Sequence, residues 1–276
     1  MTTLTTTAAQ AAWQGSVGAH WAAHQDRYDA LMADFDEGLF AAAAIGADDR
    51  VLDIGCGAGA TTRIAARLAS RGHATGVDIS GPLLDRAWAR TEAEGLANAS
   101  YELGDAQTYP FPRARHDVVI SRGGVMFFAD HRAAFDNLAR ALRPGGRLAF
   151  ICPQPTSPDS EEAQAFKLLG ELAEDGSGPG PELLAAMRAM GSLAEPDRLR
   201  EVLAGYEDVS IAPLSAESHW GDDPADAVNF ILSRTPGRSV SPAVRTAMEI
   251  ALEPYATSRG VRLRGAVWVV TAVRPH

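Results

Sequence analysis

Three glycines at alternate positions, Gly55, Gly57 and Gly59, directly follow an apolar run, Val51-Leu52-Asp53-Ile54, that carries a single acid. Without Cβ atoms such a stretch can turn sharply and bring backbone N–H groups up to a ligand that side chains would hold off. Asp53 adds a carboxylate that can accept a hydrogen bond from a cationic amine at the same spot. Two more acids close later apolar runs. Asp78 ends His73–Asp78 and is placed to hold ribose hydroxyls, and Asp105, in Gly104-Asp105-Ala106, could bond an adenine amino group.

These residues need a scaffold, and the sequence outlines one. Strands are expected at 50–54, 73–78, 99–103, 116–121 and 147–152, with helices at 60–70, 81–94 and 131–142 between them. Gly72 stops the first of these helices and Pro82 sits in the first turn of the second, where its missing N–H costs nothing. Strands alternating with helices of this length predict a parallel sheet covered on both faces. A helical region over 17–45 precedes it, with Trp21, Tyr28, Leu31, Met32 and Phe35 at three- and four-residue spacings. After Pro153 come helical stretches near 159–174 and 181–190, with Gly176-Ser177-Gly178-Pro179-Gly180 reading as a flexible joint between them. A helix at 196–204, a strand at 206–214, helices near 223–233 and 241–256 and a final strand at 266–273 complete the chain. The expected fold is α/β: a doubly wound, seven-stranded, mostly parallel sheet whose last strand is antiparallel. The expected division is an N-terminal arm and helical lid (1–45), a cofactor-binding core (46–152), a helical cap insert (153–195) and a C-terminal completion carrying substrate-pocket helices (196–276).

Gly55-x-Gly57-x-x-Ala60 also satisfies a permissive dinucleotide fingerprint, with Asp78 at the usual distance for a ribose. A carboxylate two positions before the first glycine would repel a pyrophosphate, however, and a third element at Asp105 would be idle in a hydride-transfer enzyme. A zwitterion joined to a nucleoside suits the set better, which points to S-adenosylmethionine. A plain tight strand-to-helix turn is the remaining alternative.

The segments DIGCGAG (53–59), VDIS (77–80), GDAQTYPF (104–111), DVVISRGGVMFF (117–128) and LRPGGRLAF (142–150) occur in that order. In this the chain resembles the class I S-adenosylmethionine-dependent methyltransferases over essentially 13–275. It is most similar to a bacterial small-molecule branch with a Trp-x-Gly opening, here Trp13 to Gly15, and a Gly-Val-Met-Phe-Phe-Ala-Asp stretch, here 124–130. The resemblance implies that Asp53, Gly55, Cys56 and Gly57 hold the methionine end. It implies that Asp78 takes the ribose hydroxyls, that Ile79 packs on the adenine and that Asp105 and Ala106 bind its edge. Ser121 and Arg122 would sit beside the sulfonium and the methionine carboxylate. Two positions depart from the branch: Gly123 replaces a bulky aromatic, and Cys152-Pro153-Gln154 lacks a tryptophan often found there.

Net charge is −10 with no Arg- or Lys-rich run, so phosphate backbones are repelled and nucleic acid is not an expected partner. Lys167 is the only lysine. Two cysteines, Cys56 and Cys152, argue against a disulfide framework and fit a reducing cytoplasm. No apolar stretch reaches the ~18–20 residues of a membrane span. Met1 to Gln10, Thr- and Ala-rich and uncharged, reads as a frayed arm rather than a signal peptide. The acceptor is expected to be a small, largely apolar or aromatic metabolite, because lid and cap are rich in Trp, Phe, Met and Leu and poor in cationic anchors. The helical start could cover its own site or reach into a second copy of the chain. A catalyst that binds the cofactor without using its methyl group, driving a cyclisation or rearrangement, is the alternative.

Aromatic faces can steady a sulfonium. Candidates are Trp13, Trp21, Tyr28, Phe127 and Trp220, with Trp13 and Tyr28 favoured for lying in the lid; ordinary core packing is the plain alternative for each. His20 and His24, one helical turn apart, and His219, beside Trp220, are the proton-acceptor candidates, with Glu217 near the last. A solvated polar face is the plain alternative for the first two. No metal set is expected. His131 is expected to begin a helix, His73 and His116 to lie at strand edges, and Glu161-Glu162 and Asp222-Asp223 to face solvent.

Overall fold

This computed structural model describes residues 7–173, 181–235 and 239–276; Met1 to Thr6 and the expected joint Gly176–Gly180 lie outside the described residues. The chain begins with α1 (Ala8–Gln14). Thr7 accepts a hydrogen bond from the Gln10 N–H, and the Gln10 side chain accepts one from the Thr7 N–H at 2.9 Å. This reciprocal cap fixes the helix start, so within the described residues Thr7 to Gln10 of the expected frayed arm cap and begin a helix. Gly15 separates α1 from α2 (Ser16–Ala23), and His24 separates α2 from α3 (Gln25–Ala43). The single helical region expected over 17–45 is thus two helices broken at His24.

The alternating part follows the expected spans closely: β1 (Arg50–Ile54), α4 (Ala60–Leu68), β2 (His73–Asp78), α5 (Gly81–Ala93), β3 (Ala99–Leu103), β4 (His116–Arg122), α6 (His131–Ala141) and β5 (Leu142–Pro153). β5 starts earlier than expected because pairing with β4 resumes on both sides of Arg143-Pro144-Gly145-Gly146. The rest is α7 (Glu161–Leu172), α8 (Pro181–Met190), α9 (Pro196–Val202), β6 (Glu207–Gly221), α10 (Pro224–Ser233), α11 (Pro242–Leu252), β7 (Ala256–Thr257) and β8 (Gly260–Val273).

The sheet runs β3-β2-β1-β4-β5-β8-β6, with β7 paired to β8. β1 to β5 pair in parallel and β8 runs antiparallel between β5 and β6. This is the expected mostly parallel architecture, with eight strands instead of seven; the extra one is the two-residue β7. β6 and β8 reach well beyond the expected 206–214 and 266–273. Ser218 pairs with Leu263 and His219 with Arg262, so Glu217, His219 and Trp220 lie on a strand and not in a loop. Polar and apolar residues alternate there because one face of the ribbon is exposed. Ser218 and Trp220 are buried with Val261 and Leu263, while Arg264 faces out.

Both faces of the sheet are covered. On one, α3 and α4 bring Phe35, Leu39, Ala65 and Ala66 onto Val51, Ile120 and Ile151. On the other, α6 and α9 bring Phe135, Leu138, Leu199 and Val202 onto Leu52, Val119 and Phe150. A third apolar cluster lies at the end where the functional residues gather. It joins Tyr28 and Leu31 to Leu169, Trp220, Phe230, Met248 and Leu252. α8 leaves α7 and packs instead against α1. No described helix is long and apolar enough to cross a membrane.

Candidate cofactor and acceptor site

The glycine loop joins β1 to α4. Gly55, Gly57 and Gly59 have φ of +64°, +54° and +78°, the left-handed region that favours glycine. A Cβ on Gly124 would lie 2.5 Å from the Ile54 carbonyl oxygen and 2.8 Å from Gly55 Cα, so two glycine backbones cross where β1 and β4 end. The Gly55 and Cys56 N–H groups donate to the Val77 carbonyl at 2.8 and 3.2 Å. A Cβ on Gly57, by contrast, would meet nothing within 4 Å: the loop is open on that side.

The acids surround this opening. Asp53 is fully buried, and its Oδ2 accepts from the Thr61 and Thr62 hydroxyls, each at 2.6 Å, while Oδ1 has no partner. Burial pushes its carboxyl up to about 6 against the pull of the two threonines. One buried acceptor oxygen therefore awaits a donor. Asp78 accepts from the Gly57 N–H on Oδ2 and the Ser80 N–H on Oδ1, both at 2.8 Å, and Ile79 follows it, half-buried. Each oxygen of Asp78 keeps a second lone pair for a hydroxyl. Asp105 accepts from the Gln107 N–H on Oδ1 at 3.0 Å and from Gln10 Nε2 on Oδ2 at 2.9 Å. Buried Ala106 presents its carbonyl to Asn137 Nδ2 at 3.0 Å. Gln10 was missed by sequence reasoning; the Thr7/Gln10 capping pair was the available signal, although it gives no hint of the reach to Asp105.

Cys56 is buried against Leu84, Ala87 and Tyr101, and burial raises its thiol. Ser121 donates to the Ile54 carbonyl at 2.7 Å and accepts from the Gly124 N–H at 3.1 Å, bracing the loop from beneath. Arg122 reaches α3: it bonds both oxygens of Asp36 at 3.0 Å and Asp29 at 2.9 Å. Burial outweighs that arginine and leaves the Asp36 carboxyl above the usual range. The departure at Gly123 has a backbone reason, since its φ of +73° strains any bulky side chain. At the other departure, Cys152 is buried beside the Leu193 carbonyl, its thiol pushed up to about 12 by burial, and Gln154 donates to the Val267 carbonyl at 2.7 Å.

An aromatic wall runs away from the loop. Trp13 and Trp21 pack with Ala58 and Leu83, and Trp13 meets Phe127 edge-on at 5.0 Å. Trp21 stacks on Tyr28 with ring centroids 3.6 Å apart, and Tyr28 meets Phe230 at 5.2 Å. Trp220 lies beyond, 4.7 Å from Phe166. The indole N–H groups of Trp13 and Trp220 are buried without partners.

Residues 51–146 match a family model described as a methyltransferase domain. The chain is 39% identical over 106 residues to aklanonic acid methyltransferase DauC of a Streptomyces species, covering 38% of this chain and 48% of that one. It is 31% identical over 188 residues to nocamycin O-methyltransferase of Saccharothrix syringae, covering 62% and 66%. It thus spans about half the length of several curated relatives it matches. Residues 51–146 are a methyltransferase domain, and S-adenosylmethionine is the cofactor that such domains use. The chain's fold also resembles the solved [4+2]-cyclase SpnF, at a TM-score of 0.51 and 16% identity, over 87% of this chain and 80% of that one.

For such a domain, the loop fits the cofactor on two counts: a cradle at Gly57 that a side chain would fill, and the lone buried acceptor on Asp53. The histidine candidates separate. His20 and His24 stack at 4.2 Å, and His20 meets Tyr28 at 5.9 Å. Burial, aided by His24 and Arg234, lowers His20 to about 4, so its ring is neutral and its buried Nε2 has no partner. His219 is not with them. It alternates with Ser218 and Trp220 along β6, turns to the other face and lies 3.6 Å from Asp222. There it lines an open hollow of about 500 Å³ with Asp34, Arg259 and Arg262. His131 does begin α6, with Asp130 as its cap. Of the acidic pair expected in solvent, Glu161 is exposed and accepts from the Arg264 N–H at 3.0 Å, whereas Glu162 is not exposed: a Cβ on Gly265 would lie 3.6 Å from its Oε2. Sequence reasoning also missed Arg234, whose guanidinium sits 5.3 Å above the Trp220 ring.

Proposed function

We propose that this methyltransferase acts on a small, largely apolar or aromatic metabolite, in a secondary-metabolism setting. The observation that carries the reading is the aromatic wall starting at the glycine loop: it sets apolar rings next to the place proposed for the methyl donor. The two named relatives support it, since their names record action on aklanonic acid and on nocamycin. S-adenosylmethionine supplies a methyl carbon already activated on a cationic sulfur. The chain then has to align the acceptor and exclude water, and effective molarity alone supplies roughly 7–11 kcal/mol. The rings of Trp13, Trp21, Tyr28 and Phe127 can add ~0.5–2 kcal/mol each where they face a cation. The net charge of −10 disfavours a nucleic-acid acceptor, and the two buried thiols suit a reducing cytoplasm.

Binding should depend on pH through Asp53. Its carboxyl titrates near 6 in the folded chain, above the unfolded ~3.9, so folding retains a proton there and ionising it costs stability as pH rises from 4 through 6. A ligand ammonium offsets that cost only once the carboxylate is ionised. Affinity for S-adenosylhomocysteine, the demethylated product, should therefore tighten as pH rises from 5 to 7. A flat profile by calorimetry would mean that Asp53 does not face the amine.

Incubation with methyl-labelled S-adenosylmethionine and a metabolite extract should move label onto a small molecule, with S-adenosylhomocysteine formed in step. The fold likeness to SpnF keeps a cofactor-retaining cyclase as the second reading. Product formed without S-adenosylhomocysteine would select it.

A further inference from the structure

Besides the Arg27–Asp226 ion pair beside Phe230, the acceptor end of the aromatic wall holds Arg234 and Glu162, which composition alone conceals. Arg234 follows α10 and rests on the Trp220 ring. Its charge is felt at Tyr28, His20 and Glu162. Glu162 lies one helical turn from Phe166 on α7, on the same face, and Phe166 is the ring that meets Trp220. Its carboxylate is tucked against β8 at Gly265, where Phe35 also arrives. Trp220, 3% exposed, carries a buried N–H with no partner, and His20 Nε2 is likewise unpartnered. A cation, an acid and two unmatched polar atoms thus border one buried aromatic cluster.

Resting on the methyl-transfer reading, we infer that Arg234 and Glu162 form the site for the acceptor's reacting hydroxyl, so that the acceptor is a phenol or an enol. The acceptor's O–H bond breaks, its proton goes to the Glu162 carboxylate, and the oxygen keeps the electron pair beside Arg234. That pair forms the new O–CH3 bond as the C–S bond breaks, its electrons staying on sulfur to leave a neutral thioether. The proton then passes from Glu162 to solvent. Burial keeps the Glu162 carboxyl above the usual carboxylate range, which makes it a better proton acceptor than His20, held neutral near 4. His20 and His24, Tyr28 beside them, and Arg27, which lies 4.8 Å over the Phe230 ring and is paired with Asp226, are further titratable or charged groups at this surface.

The test uses 4-nitrophenol, whose absorbance reports its own ionisation, with full-length protein saturated with S-adenosylhomocysteine. Bound to the wild type, its ionisation midpoint should fall by about one pH unit below that of the free probe. Arg234→Gln should return the midpoint to the free value, and Glu162→Gln should lower it further by removing a neighbouring negative charge. Neutral 4-nitroanisole should bind all three proteins within about twofold, a control for pocket shape that a merely structural role would fail. Absence of binding to the wild type, an unchanged midpoint in Arg234→Gln, or a raised one in Glu162→Gln overturns the assignment. Calorimetry with S-adenosylhomocysteine on the same samples separates the two readings. No heat defeats methyl transfer itself, whereas heat with an unshifted midpoint defeats only the hydroxyl site.

Discussion

Gly57→Val should leave a folded protein that no longer takes up S-adenosylmethionine. The Gly57 Cβ position is open, so valine clashes with no protein atom there. Its cost to the fold comes from φ of +54°, which a β-branched residue tolerates poorly, at about 1–2 kcal/mol. Melting should therefore fall by roughly 2–8 °C and stay cooperative. The new methyl groups would fill the space the loop leaves for ligand, and binding should drop below detection in calorimetry. Normal affinity in this variant would show that the loop is not the cofactor site.

Asp78→Ala should damage both loop and ligand. Each Asp78 oxygen accepts one backbone N–H, from Gly57 and from Ser80, and the residue is only 8% exposed. Burial holds its carboxyl above the usual range against these bonds, but as a carboxylate it makes two charge-assisted contacts, worth about 1.5–3 kcal/mol each. Removing them leaves the Gly57 and Ser80 amides unmatched and frees the glycine turn to move. Loss of the ribose contact adds to this, so the dissociation constant for S-adenosylhomocysteine should rise at least tenfold, about 1.4 kcal/mol. Asp78→Asn, keeping one acceptor oxygen, should recover part of the loss. An unchanged constant in the alanine variant would move the ribose elsewhere.

The parallel half of the fold was legible because its signals are local. Buried strands read as short apolar runs, and Gly72, Pro82 and Gly145-Gly146 punctuate them. The candidate cofactor acids stood out for the same reason, each lying at or next to a strand end beside its own turn. The antiparallel ribbon was not, since Ser215–His219 looks like a polar loop until β8 pairs with it and buries alternate residues. That misreading set His219 beside Trp220 as a proton acceptor, whereas the strand turns it toward Asp222. Long-range partners were equally hidden. Arg122, expected at the ligand, is drawn to Asp29 and Asp36 on α3, and Asp105 is met by Gln10 from the first helix. Glu162 and Arg234 share a surface only because α7 and α10 fold against the same tryptophan. A region expected to be poor in cations thereby carries Arg234 over Trp220 and Arg27 over Phe230.

Isothermal calorimetry of the intact wild-type chain with S-adenosylhomocysteine at pH 7 tests the central claim most directly. The loop, with Asp53 ionised and Asp78 in place, should give saturable heat with one site per chain, while NAD gives none. A folded protein that releases heat with NAD, or with neither compound, would contradict the assignment of this turn to a sulfonium nucleoside.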